Sequence, residues 1–515
     1  MNRKPISSLP IIRNQRERVN QIEKNNRVVH VSLRLAVIVL MVITTRLNVL
    51  AQERAMFGIS PSRNMVSSDT GLPRTWDIES GENIKWSAPV GSQSYGGPVV
   101  AGGKVFVGTN NEGRRNPKLE NDRGVLMAFD AENGEFLWQM THEKLSAGRV
   151  NDWPLQGICS TPYVENDRLY YVSNRATVVC LDTEGFRDGE NDGPLTNEQT
   201  TEAIDGDVIW SYDMIAELDV FPHNLATGSP LIVGDILYTV TSNGVDEGHL
   251  NVPAPQAPNF IALNKNTGEL IWESTIVGEN LLHGSWTNPA YAMINGTAQV
   301  VLPGGDGWIY SFSAETGEMI WKFDCNPEGS EWTLGGRGTK NNILSTPVIY
   351  DKKVYIGVGQ DPEHGEAPGH FWVIDATGSG DVTSTGTVWH RGGDDFYRTM
   401  STAAITDEVL YIADLSGFLY ALDPQTGEHF WTYDAYAAVW GSPFVADGKI
   451  YLGDEDGDVA VLKTGKQMEL LHETNMGSSL YTTPVSRNGI LYILTRNQLF
   501  AVADGVSLDK TNDDF

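Results

Sequence analysis

The chain has 515 residues, 40% of them hydrophobic, with 53 Gly, 14 Trp and a formal net charge of −29. That is enough apolar material for a large core, and Gly-rich turns beside many aromatics suit an all-β protein of short strands. So acidic a surface repels phosphate backbones and anionic lipid, which argues against nucleic-acid partners.

Residues 1–51 read as an export signal with a long basic leader, carrying nine Lys and Arg against two Glu. The apolar run at 35–43 follows most of those charges, and Val49-Leu50-Ala51 offers small residues for cleavage. Nine residues are too few to cross a bilayer, which takes roughly 20. The expectation is therefore an exported protein, periplasmic or extracellular, with no stable membrane span once the signal is removed. No Cys follows the run, so a lipoprotein anchor is not expected. Residues 52–75 show no repeat signature and read as a variable linker.

From Trp76 onward one unit recurs. It has a small polar lead-in ending in Pro, a short strand, a turn, a second strand rich in Tyr, Val and Ile, and a hairpin. The lead-ins end at Pro98, Pro162, Pro230, Pro289, Pro347, Ala403, Pro443 and Pro484, which makes eight units. Four of the hairpins share one pattern: AFDAENGEFLW from Ala128, ALNKNTGELIW from Ala262, SFSAETGEMIW from Ser311 and ALDPQTGEHFW from Ala421. A strand ends near the Asp, Gly supplies the positive φ of the turn, and the Trp gives the second strand a large flat face. The eighth unit lacks its fourth strand, and a spare Trp strand, Asn83-Ile-Lys-Trp86, precedes the first. The prediction is an eight-bladed β-propeller of four-stranded antiparallel blades, its last blade closed by the N-terminal strand. It spans 76–504 and leaves a polar tail at 505–515. Cys159, Cys180 and Cys325 are expected as buried, inert thiols.

The recurring hairpin resembles the docking motif of PQQ-type β-propellers, A-x-D-x-x-T-G-x-x-x-W. That family includes quinoprotein alcohol dehydrogenases and the propeller lipoprotein of the outer-membrane barrel-assembly machinery. The resemblance implies that each Trp packs between blades, its ring N–H bonded to the backbone of the next repeat. A dehydrogenase of this kind would need PQQ, a bound Ca²⁺ and an Asp base. The adjacent Cys pair typical of the alcohol dehydrogenases is missing here, and no stretch matches the family's catalytic Asp segment.

In a propeller, ligands bind where loops lead into the innermost strands. Three positions before each Pro stand Tyr95, Cys159, Thr227, Trp286, Leu344, Met400, Trp440 and Tyr481. Six before it stand Ser92, Gln156, Asn224, His283, Asn341, Tyr397, Ala437 and Ser478. This mixed ring suits a planar or carbonyl-bearing ligand, though the same residues also serve as simple caps on a water-filled channel. The long loops add Asn151, His223, Arg337, Lys340, Asn342 and Arg398. If they fold over one face, Gln156, Asn224, His283, Trp286, Arg337, Lys340, Asn342, Arg398 and Trp440 are the cofactor-binding candidates. Asp394 or Asp395 would then serve as a base or a metal ligand. The glycines at 335–338 lack the Lys-Ser/Thr pair of a phosphate loop.

In the second unit's insertion, Asp182, Glu184, Asp188, Glu190 and Asp192 alternate with glycines and resemble a bacterial Ca²⁺ loop. The bland alternative is a solvated acidic loop. Asp454 to Asp458 looks similar but falls at a hairpin turn. Two functions fit: a binding or scaffold module for a protein, glycan or small molecule, or a PQQ- and calcium-dependent oxidoreductase acting on an alcohol or sugar.

Overall fold

The hairpin motif explains itself residue by residue in the computed structural model, which describes residues 54–198, 200–332, 338–360 and 368–508. The small first residue pairs directly across from the Trp: Ala128 with Trp138, Ala262 with Trp272, Ser311 with Trp321 and Ala421 with Trp431. A larger residue there would crowd the ring on the same face of the sheet. A β-bulge follows each of these pairs. The Asp caps the turn, as when the Asp423 carboxylate accepts from the N–H groups of Gln425 and Thr426, both at 2.9 Å.

Repeated around the chain, these hairpins build eight sheets whose core is four antiparallel strands. The first blade consists of Val99–Ala101, Lys104–Asn110, Arg123–Asp130 and Phe136–Glu143. Blades 2 to 7 follow at 163–213, 231–274, 290–324, 348–397, 404–434 and 444–475. Blade 8 combines three strands between Val485 and Ser507 with Glu82–Pro89 from the N-terminal side. The protein is an eight-bladed β-propeller closed by its N-terminal strand. The apolar core is divided into clusters that straddle neighbouring blades, as radial repetition requires.

Two devices join the blades. The first is the Trp indole, whose N–H donates to a backbone carbonyl of the next blade's turn. Trp86 reaches Ala131 at 3.1 Å, Trp138 reaches Thr183 at 3.1 Å, Trp210 reaches Lys265 at 2.9 Å and Trp272 reaches Ala314 at 3.1 Å. Trp389 and Trp431 do the same to Pro424 and Gly465. Trp321 departs from the rule and donates to Gln299 Oε1 of its own blade at 3.1 Å. Its outer strand is instead covered by a parallel pairing with Gly380–Asp381.

The second device is a belt of lead-in residues around the channel. The N–H of Gly97 donates to Thr161 Oγ1, that of Thr161 to Ser229 Oγ, and that of Ser229 to Asn288 Oδ1, at 2.6 to 3.0 Å. Thr402, Ser442 and Thr483 continue the pattern at 2.9 Å. Thr161, Ser229, Asn288, Ser442 and Thr483, each just before its Pro, thus accept from a neighbouring blade's backbone.

The stretch expected as a linker is part of the propeller from Arg54 on. Arg54–Ala55 adds a strand to the inner edge of blade 2. The N–H groups of Tyr291 and Ile349 then donate to the carbonyls of Pro61 and Ser62. Asn64 bonds both ways with Ile405, and Val66 bridges Val445. This segment therefore runs along the inner strands of blades 4 to 7. Farther on, Trp76 packs beside Tyr451 with centroids 6.5 Å apart and donates to Met476 Sδ. Tyr451 occupies the place that Tyr411 and Tyr238 hold beside Trp431 and Trp272. Blade 7 has no Trp of its own at that place, and Trp76 takes the position beside the Tyr.

Cys159, Cys180 and Cys325 are buried free thiols. The segment 1–51 expected as an export signal, Arg337 and the end of the tail all lie outside the described residues. Among the described residues, no helix is long and apolar enough to cross a membrane.

Candidate functional site

All eight residues placed three before the lead-in Pro line one cavity of about 440 Å³ at the mouth of the channel. The phase of the repeat explains this, since equivalent positions in every blade face the axis. Gln156, Asn224 and His283 from the next layer also line it, together with Trp153 and Leu225. Tyr95 and Tyr481 stack at 4.9 Å, and Trp440 meets Tyr481 edge-on at 5.3 Å, so blades 7, 8 and 1 form an aromatic wall. Trp286 belongs to another part of the ring, its indole N–H held by the carbonyls of His223 and Leu225 at 3.1 Å.

Below the mouth, a smaller space of about 140 Å³ shares Tyr95, Trp440 and Tyr481 with it, and Met56 to Ile59 form part of its wall. The N-terminal segment thereby narrows the channel. Among the described residues, no Lys, Arg, Asp or Glu lines the mouth. Burial pushes the Cys159 thiol up to about 12 and raises the Tyr95 hydroxyl, so both stay neutral. Among the described residues the funnel's lining is uncharged, carries several aromatic rings, and is edged by a few amide and hydroxyl groups.

The remaining candidates sit elsewhere. Lys340, Asn342 and Arg398 do not line the cavity. Asn342 is buried, with its Nδ2 lacking a hydrogen-bond partner. Asp394 and Asp395 are exposed on the outer strand Thr387–Tyr397 of blade 5, and neither lines the funnel. Both therefore lack the buried surroundings of a general base.

The acidic insertion of blade 2 brings together three of its five candidates. One carboxylate oxygen each from Asp182, Asp188 and Asp192 lies within 4.8 Å of the others. Glu184 is drawn away to Lys104 at 2.5 Å, and Glu190 is exposed. Asp182 is also bound to Arg168 at 2.7 Å. Asp454 behaves as a turn residue, its carboxylate accepting from the N–H groups of Asp456 and Asp458 at 3.0 Å.

The sequence reading missed a cluster of histidines. His223, His249 and His283 come from three separate loops of blades 3 and 4, and their ring centroids lie 4.6 to 4.9 Å apart. His249 falls outside the lead-in phase, so repeat alignment does not reach it.

A family model described as outer membrane protein assembly factor BamB matches residues 44–139, 122–187, 199–359 and 305–505. BamB of Shewanella oneidensis is 23% identical over 368 residues, covering 71% of this chain and 70% of that protein. Tetrathionate hydrolase of Acidithiobacillus ferrooxidans is 24% identical over 307 residues, 54% of this chain and 56% of that enzyme, so the match spans little more than half its length. The solved structure of BamB from Moraxella catarrhalis is 16% identical, with a TM-score of 0.49, covering 82% of this chain and 98% of that one.

Proposed function

Because the chain belongs to the PQQ-like propeller family of the outer membrane protein assembly factor BamB, we propose that it is an exported binding scaffold of the cell envelope. In this reading the channel mouth receives part of a partner, with a polypeptide segment as the first choice over a glycan or small molecule. The observation that carries the reading is the uncharged aromatic funnel of about 440 Å³, ringed by Tyr95, Trp286, Trp440 and Tyr481. Such a surface takes apolar and aromatic side chains, while the Gln156 and Asn224 amides and Thr227 hydroxyl can bond a peptide backbone.

The rival reading is a PQQ- and calcium-dependent oxidoreductase. A planar tricarboxylate needs cations, and among the described residues, which leave out Arg337, none lines the mouth. The three clustered aspartates of blade 2 are not in the funnel wall either.

Two measurements separate the readings. A photo-crosslinking residue at Trp153, on the funnel wall, should capture an envelope polypeptide in the native host, and W440A together with Y481A should abolish capture. Calorimetric titration of PQQ into the protein, with and without Ca²⁺, should give no heat. Calcium-dependent binding at micromolar strength would overturn the scaffold in favour of the dehydrogenase.

A further inference from the structure

Of the three histidines, His283 also lines the funnel, but the cluster does not depend on the scaffold reading. Their geometry is built by the backbone. Residues 243–245 run between two other loop segments: Pro222 pairs with Asn243, and Gly244 pairs with Gly284. The N–H of Val245 donates to the His283 carbonyl at 2.9 Å, and the N–H of His223 donates to the Ser242 carbonyl at 3.2 Å. Gly244 permits this closure, since a Cβ there would stand 2.4 Å from His223 Cβ and 2.7 Å from the His283 carbonyl oxygen. His249 arrives from a turn tied by the Asp246 carboxylate, which accepts from the Leu250 N–H at 2.8 Å and the Asn251 side chain at 2.6 Å.

The ring nitrogens are arranged accordingly. His223 Nδ1 lies 2.7 Å from the Val245 carbonyl. A carbonyl only accepts, so Nδ1 carries the proton, and in the neutral ring Nε2 keeps its lone pair. That Nε2 faces His249 Nε2 at 3.1 Å. One nitrogen from each of the three rings lies within 4.8 Å of the other two. Two imidazole nitrogens on one tetrahedral Zn²⁺, each about 2.0–2.1 Å from the ion, stand roughly 3.3 Å apart. A backbone carbonyl fixing the tautomer of a ligating His is the usual outer support of such sites. His223 and His283 are buried and His249 is half-buried, which leaves a side of approach.

From this we infer that His223, His249 and His283 form a binding site for a divalent transition metal of the zinc class. Among the described residues the grouped donors are three imidazole nitrogens, which suit Zn²⁺ and its neighbours, whereas Ca²⁺ and Mg²⁺ take oxygen ligands. The site is distinct from the aspartate cluster of blade 2.

The test uses tag-free protein stripped with chelator and titrated with Zn²⁺ in excess Ca²⁺, which occupies the carboxylates. One equivalent should bind at micromolar strength or better and raise the melting temperature. Co²⁺ should give the visible absorption of a nitrogen-ligated, low-coordinate ion. H249N, in a half-buried loop, should keep its fold by circular dichroism and lose affinity by about a hundredfold or more. H390N, which breaks the separate His370–His390 contact at 3.1 Å, should bind as the parent does. The inference is overturned if no stoichiometric binding is seen, if H249N binds like the parent, or if H390N is the variant that loses the metal.

Discussion

Buried carboxylates in this propeller are turn caps whose protonation is tied to folding. Asp306 is 2% exposed. It accepts from the Tyr310 hydroxyl at 2.5 Å and from the Trp308 N–H at 3.1 Å. Burial outweighs these bonds and pushes its pKa up from 3.8 to about 6. Asp454 is likewise pushed up to about 6. A raised folded-state value means the proton is held more tightly in the folded chain. The associated stability is complete below pH 3.8 and is lost as pH rises through about 6. D306N carries no titrating group at that place. Its stability relative to the parent should therefore improve by about 1 kcal/mol between pH 5 and pH 7.5, as urea melts at both values would read. A constant difference across that range would show that Asp306 does not titrate with folding.

At the scale of the hairpin, Gly and Trp of neighbouring blades specify one another. Gly317 has φ +71°, and a Cβ there would lie 2.7 Å from the Trp272 ring of the preceding blade. Gly134, Gly268 and Gly427 stand in the same relation to Trp86, Trp210 and Trp389. Gly296 has a comparable φ of +85° with nothing within 4 Å of its would-be Cβ. G296A isolates the backbone strain of a left-handed residue, on the order of 1–2 kcal/mol. G317A adds the clash with a packed indole, and its cost should reach about 3–4 kcal/mol with a shift in Trp fluorescence. Equal costs for the two would remove the docking interaction from the account. This local pairing is why the fold was legible: the Ala, Asp, Gly and Trp lie within eleven consecutive residues, and repetition exposes them. The channel ring was legible for the same reason, because Tyr95, Trp286, Trp440 and Tyr481 share one phase. The exception at Trp321 was not, since blade 5 replaces the expected hairpin and Gln299, in an ordinary strand, becomes the acceptor. Nor was the histidine cluster, because His223, His249 and His283 meet through loop pairing that leaves no periodic trace.

On the scale of the whole ring, closure is double, and only one part of it follows the repeat. Glu82–Pro89 completes blade 8 by strand pairing, which the missing fourth strand announces. The segment at 54–76 closes the ring from inside, and its bonds are mostly to backbone, which carries no sequence signature. Its anchor is Arg63, fully buried inside the ring. Nε donates to the Pro289 carbonyl at 2.6 Å and Nη1 to that of Phe57 at 2.6 Å. Nη2 reaches those of Ser229 and Pro230 at 3.2 and 3.1 Å. One guanidinium thus ties the segment to the lead-ins of blades 3 and 4. Burial draws its pKa down to about 9, which still leaves it cationic at neutral pH. R63M keeps most of the apolar stem and removes the donors, leaving four carbonyls short of a partner in a buried place. The expected loss is about 3–5 kcal/mol, with protease cutting between residues 54 and 75 well below the melting temperature. If R63M melts with the parent and resists cutting, the ring stands by strand closure alone, and the segment is a passenger in the channel. If the loss is as large as expected, the eight blades and the N-terminal segment unfold as one unit, and any partner entering the funnel meets a channel narrowed from below.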